Sequence, residues 1–101
     1  MNDLCSFLLD RIAESEAVAQ RVLEDGPAAV EHAMEVGADP VWTTQDAKVR
    51  RQLVLTYQSL AASEPMPGTF QVQQLGVYTK VIRQLASAYS EHAAYRDEWR
   101  P

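Results

Sequence analysis

The sequence of 101 residues contains a single cysteine, Cys5, and only two histidines, His32 and His92. One cysteine excludes an internal disulfide and a cysteine-rich metal site, so we expect a reducing, cytoplasmic compartment. No apolar run approaches the roughly 20 residues that span a bilayer, and the chain begins with Asn2-Asp3 instead of the basic stretch of a signal peptide. The sequence therefore predicts a soluble protein that has no membrane partner.

Motifs of familiar catalytic chemistry are also missing. The sequence has neither a phosphate-binding glycine-rich loop nor a Gly-x-Ser-x-Gly turn, and Cys5 has no sequence neighbour that would activate its thiol. Glu31, His32 and Glu35 share one helical surface, so a small metal-binding protein or enzyme that uses them, with His92 as a further ligand, is an alternative. A di-metal site needs inward carboxylates from several helices, and we predict no cofactor, no metal and no enzymatic activity.

Charge is unevenly distributed along the chain, whose net charge is −5. Residues 1–46 hold two arginines and ten carboxylates, whereas residues 47–83 hold five basic groups and one carboxylate. This pattern favours antiparallel docking of the first helix against the third. Exposed ion pairs contribute only a fraction of about 1 kcal/mol each, so we expect apolar burial to stabilise the fold and charge to select the register.

A basic cluster in the middle of the chain is the candidate for a nucleic-acid surface. Phosphate binding needs a dense positive surface, whereas this sequence has a pI near 4.9. Pairing with the acidic first helix, or solvation, accounts for these side chains more simply, and no nucleic-acid partner is expected. The cluster consists of Lys48, Arg50, Arg51, Lys80 and Arg83.

Apolar residues recur every three or four positions through nearly the whole chain, a spacing typical of amphipathic helices. The first predicted helix begins after Asn2 or Asp3 and ends near residues 25–27. The second starts at Pro27 and ends at Gly37, because glycine readily adopts the left-handed conformation that closes a helix. The apolar stripe of the first helix is Leu4, Phe7, Leu8, Ile12, Val18, Val22 and Leu23.

The third predicted helix is capped by Asp39, with a start one turn later at Thr43 as the alternative. Segment 63–68 contains two prolines and a glycine and is therefore a loop. Thr69 caps the fourth helix, in which Gly76 suggests a close helix crossing. The expected apolar stripes are Val49, Leu53, Tyr57 and Leu60 in the third helix and Val72, Leu75, Tyr78, Ile82, Leu85 and Tyr89 in the fourth.

The sequence therefore predicts an all-α fold. Residues 1–101 form one domain, a small bundle of three to four helices in which the third and fourth make a long antiparallel hairpin. Residues 91–101 form a C-terminal tail with two aromatic residues and two arginines.

The tail has two interpretations. If it is helical, Tyr95 and Trp99 share one face, while Arg96 and Arg100 share another. The aromatic residues could then fold back onto the bundle as a lid. Alternatively they are an exposed anchor for a partner, because tryptophan, tyrosine and arginine dominate binding hot spots.

The tail also carries a resemblance. Tyr89, His92 and residues 95–101 resemble the end of a family of small actinobacterial and actinophage proteins of unknown function, which usually close with Tyr-Ala-Asp-His-Pro-Xaa-Tyr-Arg-Glu-Glu-Trp-Arg-Pro. Ala93 stands where a proline is usual, and a strand-like insert of longer members is shortened here to the region around Trp42. The resemblance implies a common lineage but no particular activity.

We predict a non-enzymatic protein-protein interaction module of an actinobacterium or its phage, with a binding surface made by the fourth helix and the tail. A phage member would bind a host protein, and the partner is unidentified. One alternative is an acidic imitation of nucleic acid through Asp10, Glu14 and Glu24, which would inhibit a DNA-binding host enzyme. Another is a homodimer closed by the apolar faces. The candidate binding residues are Tyr89, His92, Tyr95, Arg96, Trp99 and Arg100.

Overall fold

The computed structural model describes residues 2–64 and 66–101. Over these residues the chain forms four α-helices, followed by one 3₁₀ turn at Asp97–Trp99, and contains no strand. The all-α prediction is thus confirmed, and the region around Trp42 lies in a helix. No helix in the described segments is long and apolar enough to cross a membrane. The helices are α1 (Asn2–Glu24), α2 (Pro27–Glu35), α3 (Pro40–Ala62) and α4 (Phe70–Ser87).

Local sequence signals set the helix ends. Gly26 and Gly37 have φ angles of 98° and 80°, so each occupies backbone space that favours glycine. Asp39 caps α3, since its Oδ1 accepts the backbone N–H of Val41 at 2.9 Å, and the earlier of the two predicted starts is therefore correct. Thr69 caps α4 as predicted. The predicted loop at 63–68 includes Pro65, which lies outside the described residues.

Helix α3 is the central element of the bundle. It packs along α1 and, less extensively, against α4. The C-terminal part of α1 lies beside the start of α3, where Val22 and Thr43 line the same cleft, so the predicted antiparallel docking is confirmed. The side chains that form the buried core are Leu4, Cys5, Phe7, Leu8, Ile12, Ala47, Val54, Tyr57, Ile82, Ala86 and Trp99.

The predicted stripe of α3 is partly wrong. Tyr57 is buried, but Val49 is 60% exposed, and the other buried residues of α3 include Ala47 and Val54. The buried face of α3 is therefore rotated away from Val49. The ends of the other stripes are exposed as well, at Val18, Leu23 and Val72.

The molecule is elongated, with extents of 54 × 25 × 17 Å and a radius of gyration of 16.2 Å. A compact chain of this length would have a radius of gyration of about 13 Å. An elongated bundle buries less of each helix, which leaves many large apolar side chains in solvent. Those exposed are Val18, Leu23, Met34, Val36, Val41, Trp42, Val49, Leu55, Met66, Phe70, Val72 and Val77.

An ion pair fixes the register of α1 against α3. Both guanidinium nitrogens of Arg51 donate to the Glu16 carboxylate, one of them at 2.8 Å. The hydrogen bond from Arg51 lowers the pKa of Glu16. Both side chains remain about one third exposed, so the pair contributes little energy and acts mainly on alignment.

This ion pair gives a pH-dependent prediction. Glu16→Gln should lower the free energy of unfolding at pH 7 by less than about 1 kcal/mol. Because a lowered pKa stabilises the fold only while the carboxyl is ionised, the difference from the unmodified protein should disappear as the pH falls from about 5 to about 3. Urea unfolding across this range measures it, with the exposed Glu24→Gln as the control. If the free energies of unfolding of Glu16→Gln and the unmodified protein still differed at pH 3, the effect of the substitution would arise from packing and not from the charge of Glu16.

Gly76 offers a second stability prediction. It lies inside α4, and apart from its chain neighbours and the adjacent backbone of α4 no atom of the described residues comes within 4 Å of the place where a Cβ would lie. The predicted close helix crossing is therefore wrong at this position. Gly76→Ala should raise the free energy of unfolding by about 1 kcal/mol, because alanine restricts the unfolded chain and favours the helix. Thermal unfolding measures this change. A melting temperature below that of the unmodified protein would mean that the added methyl group clashes with a neighbour, and so would contradict the prediction.

Candidate functional site

The C-terminal tail is not α-helical. After Ser87 the chain continues through a series of turns, and the only regular element in the described tail is the 3₁₀ turn at Asp97–Trp99. Tyr95 and Trp99 nevertheless meet edge to face, with ring centroids 5.6 Å apart. Their contact arises from the tight turn that contains Trp99 and needs no helical face.

Phe7 of α1 is the centre of the aromatic cluster that the tail forms. Trp99 is its nearest aromatic neighbour at 5.1 Å, followed by His92 at 5.4 Å. Tyr89 and Tyr95 approach it edge to face, each at 6.1 Å. Four of the six predicted binding residues therefore converge on one side chain of the first helix. The sequence placed Phe7 in an ordinary apolar stripe and gave no sign of this role.

Arginine side chains cover the outside of this cluster. The guanidinium of Arg11 lies 5.1 Å from the ring centre of Phe7, that of Arg96 lies 5.5 Å from Trp99, and that of Arg100 lies 5.9 Å from Tyr95. Each cation can interact favourably with the face of an aromatic ring. Arg96 also pairs with Asp3 at 3.0 Å, which ties the tail to the start of α1.

His92 links the tail to α1. Its Nδ1 accepts the backbone N–H of Ala94 at 3.0 Å, and a guanidinium nitrogen of Arg11 lies 3.1 Å from the same ring nitrogen. The ring thus closes a local turn and contacts the first helix at the same time.

These contacts give the tail the geometry of a lid. Trp99 is 7% exposed, and its indole ring belongs to the core cluster. Arg96 and Arg100 stay exposed on the outer surface. In this conformation the largest aromatic group of the tail stabilises the bundle and is not presented to solvent.

A groove between α3 and α4 is the most apolar of the larger surface depressions. It has a volume of about 510 Å³. Phe70 and Val77 on its α4 wall are 71% and 61% exposed, although they are large apolar side chains. The residues that line the groove are Leu53, Phe70, Gln73, Gln74, Val77, Tyr78 and Val81.

On α3 the groove is lined by Leu53, and on α4 by Phe70, Gln74, Val77 and Val81 among others. In the sequence these residues belong to two stripes, one on each helix, with alternating four- and three-residue steps. Such spacing places side chains along one stripe, as in the seam of helices that pair side by side. The stripe is separate from the one that faces the core on both helices. The α3 stripe contains Trp42, Asp46, Val49, Leu53, Thr56 and Leu60, of which Leu53 lines the groove, and the α4 stripe contains Phe70, Gln74, Val77, Val81 and Gln84.

The predicted basic cluster does not form a single surface of unpaired cations. Arg50 bonds Asp46 at 2.8 Å, and Arg51 pairs with Glu16. Lys48 and Lys80 are exposed on different helices. The acidic residues Asp10, Glu14 and Glu24 are exposed on α1, where Glu14 pairs with Arg11.

The candidate metal and thiol groups show no catalytic arrangement. Glu31, His32 and Glu35 are all exposed on α2, and within residues 2–64 and 66–101 no three histidine, cysteine or acidic side chains are grouped to hold a metal ion. Cys5 is 1% exposed, and burial raises the pKa of its thiol. A protonated, enclosed thiol is a poor nucleophile, as expected for a core residue.

Comparison with known proteins places the whole chain in one family. The family model described as "Family of unknown function (DUF6221)" matches residues 1–101. Comparison with curated proteins and with solved structures found no match.

Proposed function

The chain belongs to the DUF6221 family, and we propose that it is a non-enzymatic protein-protein interaction module that binds a helical partner in the groove between α3 and α4. The exposure of Phe70 and Val77 beside this groove is the observation that supports the proposal. Large apolar side chains left together in solvent mark an interaction surface. A groove between two helices accepts the apolar face of a third helix, whose anchors recur every three or four residues.

The chemistry of the groove specifies the partner. Its polar lining in the described chain consists of Gln73, Gln74 and the phenol of Tyr78, without a charged side chain. Burying an unpaired charge there would be costly. The partner is therefore a helix whose inserted stripe is apolar or amide-bearing, and acidic or basic peptides are disfavoured.

In this proposal α4 forms part of the binding surface, as the sequence predicted, whereas the tail stabilises the bundle. Trp99 is buried against Phe7 and supports the scaffold. Arg96 and Arg100 are the tail residues that remain exposed. Because the sequence resembles actinobacterial and phage proteins, we propose that the module acts in the bacterial cytoplasm, where a phage version would bind a host protein.

Affinity capture tests this function. Tagged protein is incubated with a lysate of the organism that carries the gene, and recovered proteins, including untagged copies of the chain, are identified by mass spectrometry. Val77→Glu should abolish recovery of the specific partner. The matched control is Val41→Glu, since Val41 is 57% exposed but lies on another face of α3.

A second control replaces Arg96 and Arg100 with alanine. Recovery should be unchanged for both controls, because neither alters the groove. Partner recovery that survives Val77→Glu but is lost with the two arginine substitutions would refute binding in the groove and restore the tail as the anchor.

A further inference from the structure

We propose that the helical partner in the α3–α4 groove is a second copy of this chain, so that α3 and α4 of two copies form a four-helix bundle about a two-fold axis. This inference rests on the proposed function, because it identifies the occupant of the same groove. Two properties of this surface support it, its spacing and its charge, together with the large exposed area of the whole molecule.

The molecule exposes more surface than a compact protein of its mass. It exposes 6775 Å², whereas a compact protein of its mass is expected to expose about 5,700 Å². The excess of about 1,000 Å² is slightly more than the roughly 800 Å² that each partner buries in a stable interface. Pairing two copies would remove an excess of this size.

The spacing of both groove walls suits a partner made of two similar helices. Val49 and Leu53 continue the outer stripe of α3, and Val77 and Val81 continue that of α4. A single bound helix needs one groove, but two stripes at heptad spacing on adjacent antiparallel helices match the seams of a four-helix bundle. The same chain supplies such a pair of stripes.

Charge favours this face over the depression beside α2 as a surface for self-association. A two-fold axis brings equivalent surfaces together, so charged linings would face like charges. The depression beside α2 contains Glu31 and Glu35 and would suffer that repulsion. The α3–α4 groove instead contains Gln73 and Gln74, whose amides both donate and accept hydrogen bonds and can therefore pair with their own copies.

Sedimentation equilibrium of the purified protein tests the inference. The unmodified chain should reach twice its mass of 11.3 kDa as its concentration rises through the micromolar range. Val77→Glu should weaken the dimer by more than about 100-fold, because two unpaired carboxylates would be buried at the interface. Val41→Glu, on a surface of matched exposure, should dimerise as the unmodified protein does.

The outcomes separate the inference from the proposed function. A chain that stays monomeric at about 200 µM, far above micromolar dissociation constants, would refute self-association. So would a dimer that Val77→Glu leaves intact. If Val77→Glu unfolds the protein, Phe70→Glu at the start of α4 decides in its place. A monomer whose groove still captures another protein would refute the second copy alone, whereas a groove that captures nothing would refute both.

Discussion

Trp99→Ala is expected to lower the free energy of unfolding by about 3–5 kcal/mol, the largest effect of any single substitution in the tail. The indole is 7% exposed and lies against Phe7 and Tyr95. Truncation would leave a cavity at the end of the core and release the tail. Urea unfolding followed by far-ultraviolet circular dichroism measures the loss.

The second tryptophan of the chain is a matched control. Trp42 is 64% exposed, so Trp42→Ala should change the free energy of unfolding of the monomer by less than about 0.5 kcal/mol. If Trp99→Ala lowered the free energy of unfolding as little as Trp42→Ala does, the tail would not be closed over α1 in solution. That result would support the alternative in which the tail is an exposed anchor for a partner.

Phe7→Ala should cost about 3–5 kcal/mol as well, because its ring is the common neighbour of the four tail side chains. The two substitutions should not be additive. Once Trp99 is absent, Phe7 has already lost its nearest ring, so the double variant should cost at least about 1 kcal/mol less than the sum. Unfolding of the two single variants and the double variant measures this coupling.

Gly76→Ala provides the control for that cycle. Its site is open and contacts neither ring, so its effect should add to that of Trp99→Ala within about 0.5 kcal/mol. If Phe7 and Trp99 were equally additive, the aromatic cluster would not act as one unit.

The helix boundaries could be predicted because short local signals determine them. Asp39 before Pro40 caps α3, and Thr69 caps α4. Gly37 adopts a positive φ just after the end of α2. These signals operate over three or four residues and do not depend on tertiary packing. The all-α class followed from the same local spacing.

The parts of the fold that could not be predicted from the sequence depend on tertiary packing. Helix α3 has two apolar stripes, and periodicity cannot say which one contacts α1. The structure buries the stripe that contains Ala47 and Val54 and leaves Val49 exposed. The groove site was therefore missed, although the four- and three-residue spacing of its walls is visible in the sequence.

The position of the tail could not be predicted for a related reason. Its aromatic composition was evident, but its target was not, since Phe7 looks like any other apolar residue of α1. The turns after Ser87 set the position of Trp99. Because these turns are rich in alanine and serine, their sequence does not predict the direction that the chain takes. Contacts more than 80 residues apart in sequence, such as that of Arg11 with His92, depend on the assembled bundle.

Site-specific photo-cross-linking in cells is the measurement that locates the binding surface most directly. A photoreactive phenylalanine analogue replaces Val77 in the groove, Arg100 in the tail or Val41 on another face of α3. We predict one strong adduct, at position 77, with the mass of two copies of the chain. An adduct at position 100 with none at position 77 would contradict binding in the groove and would place the partner on the exposed outer surface of the tail.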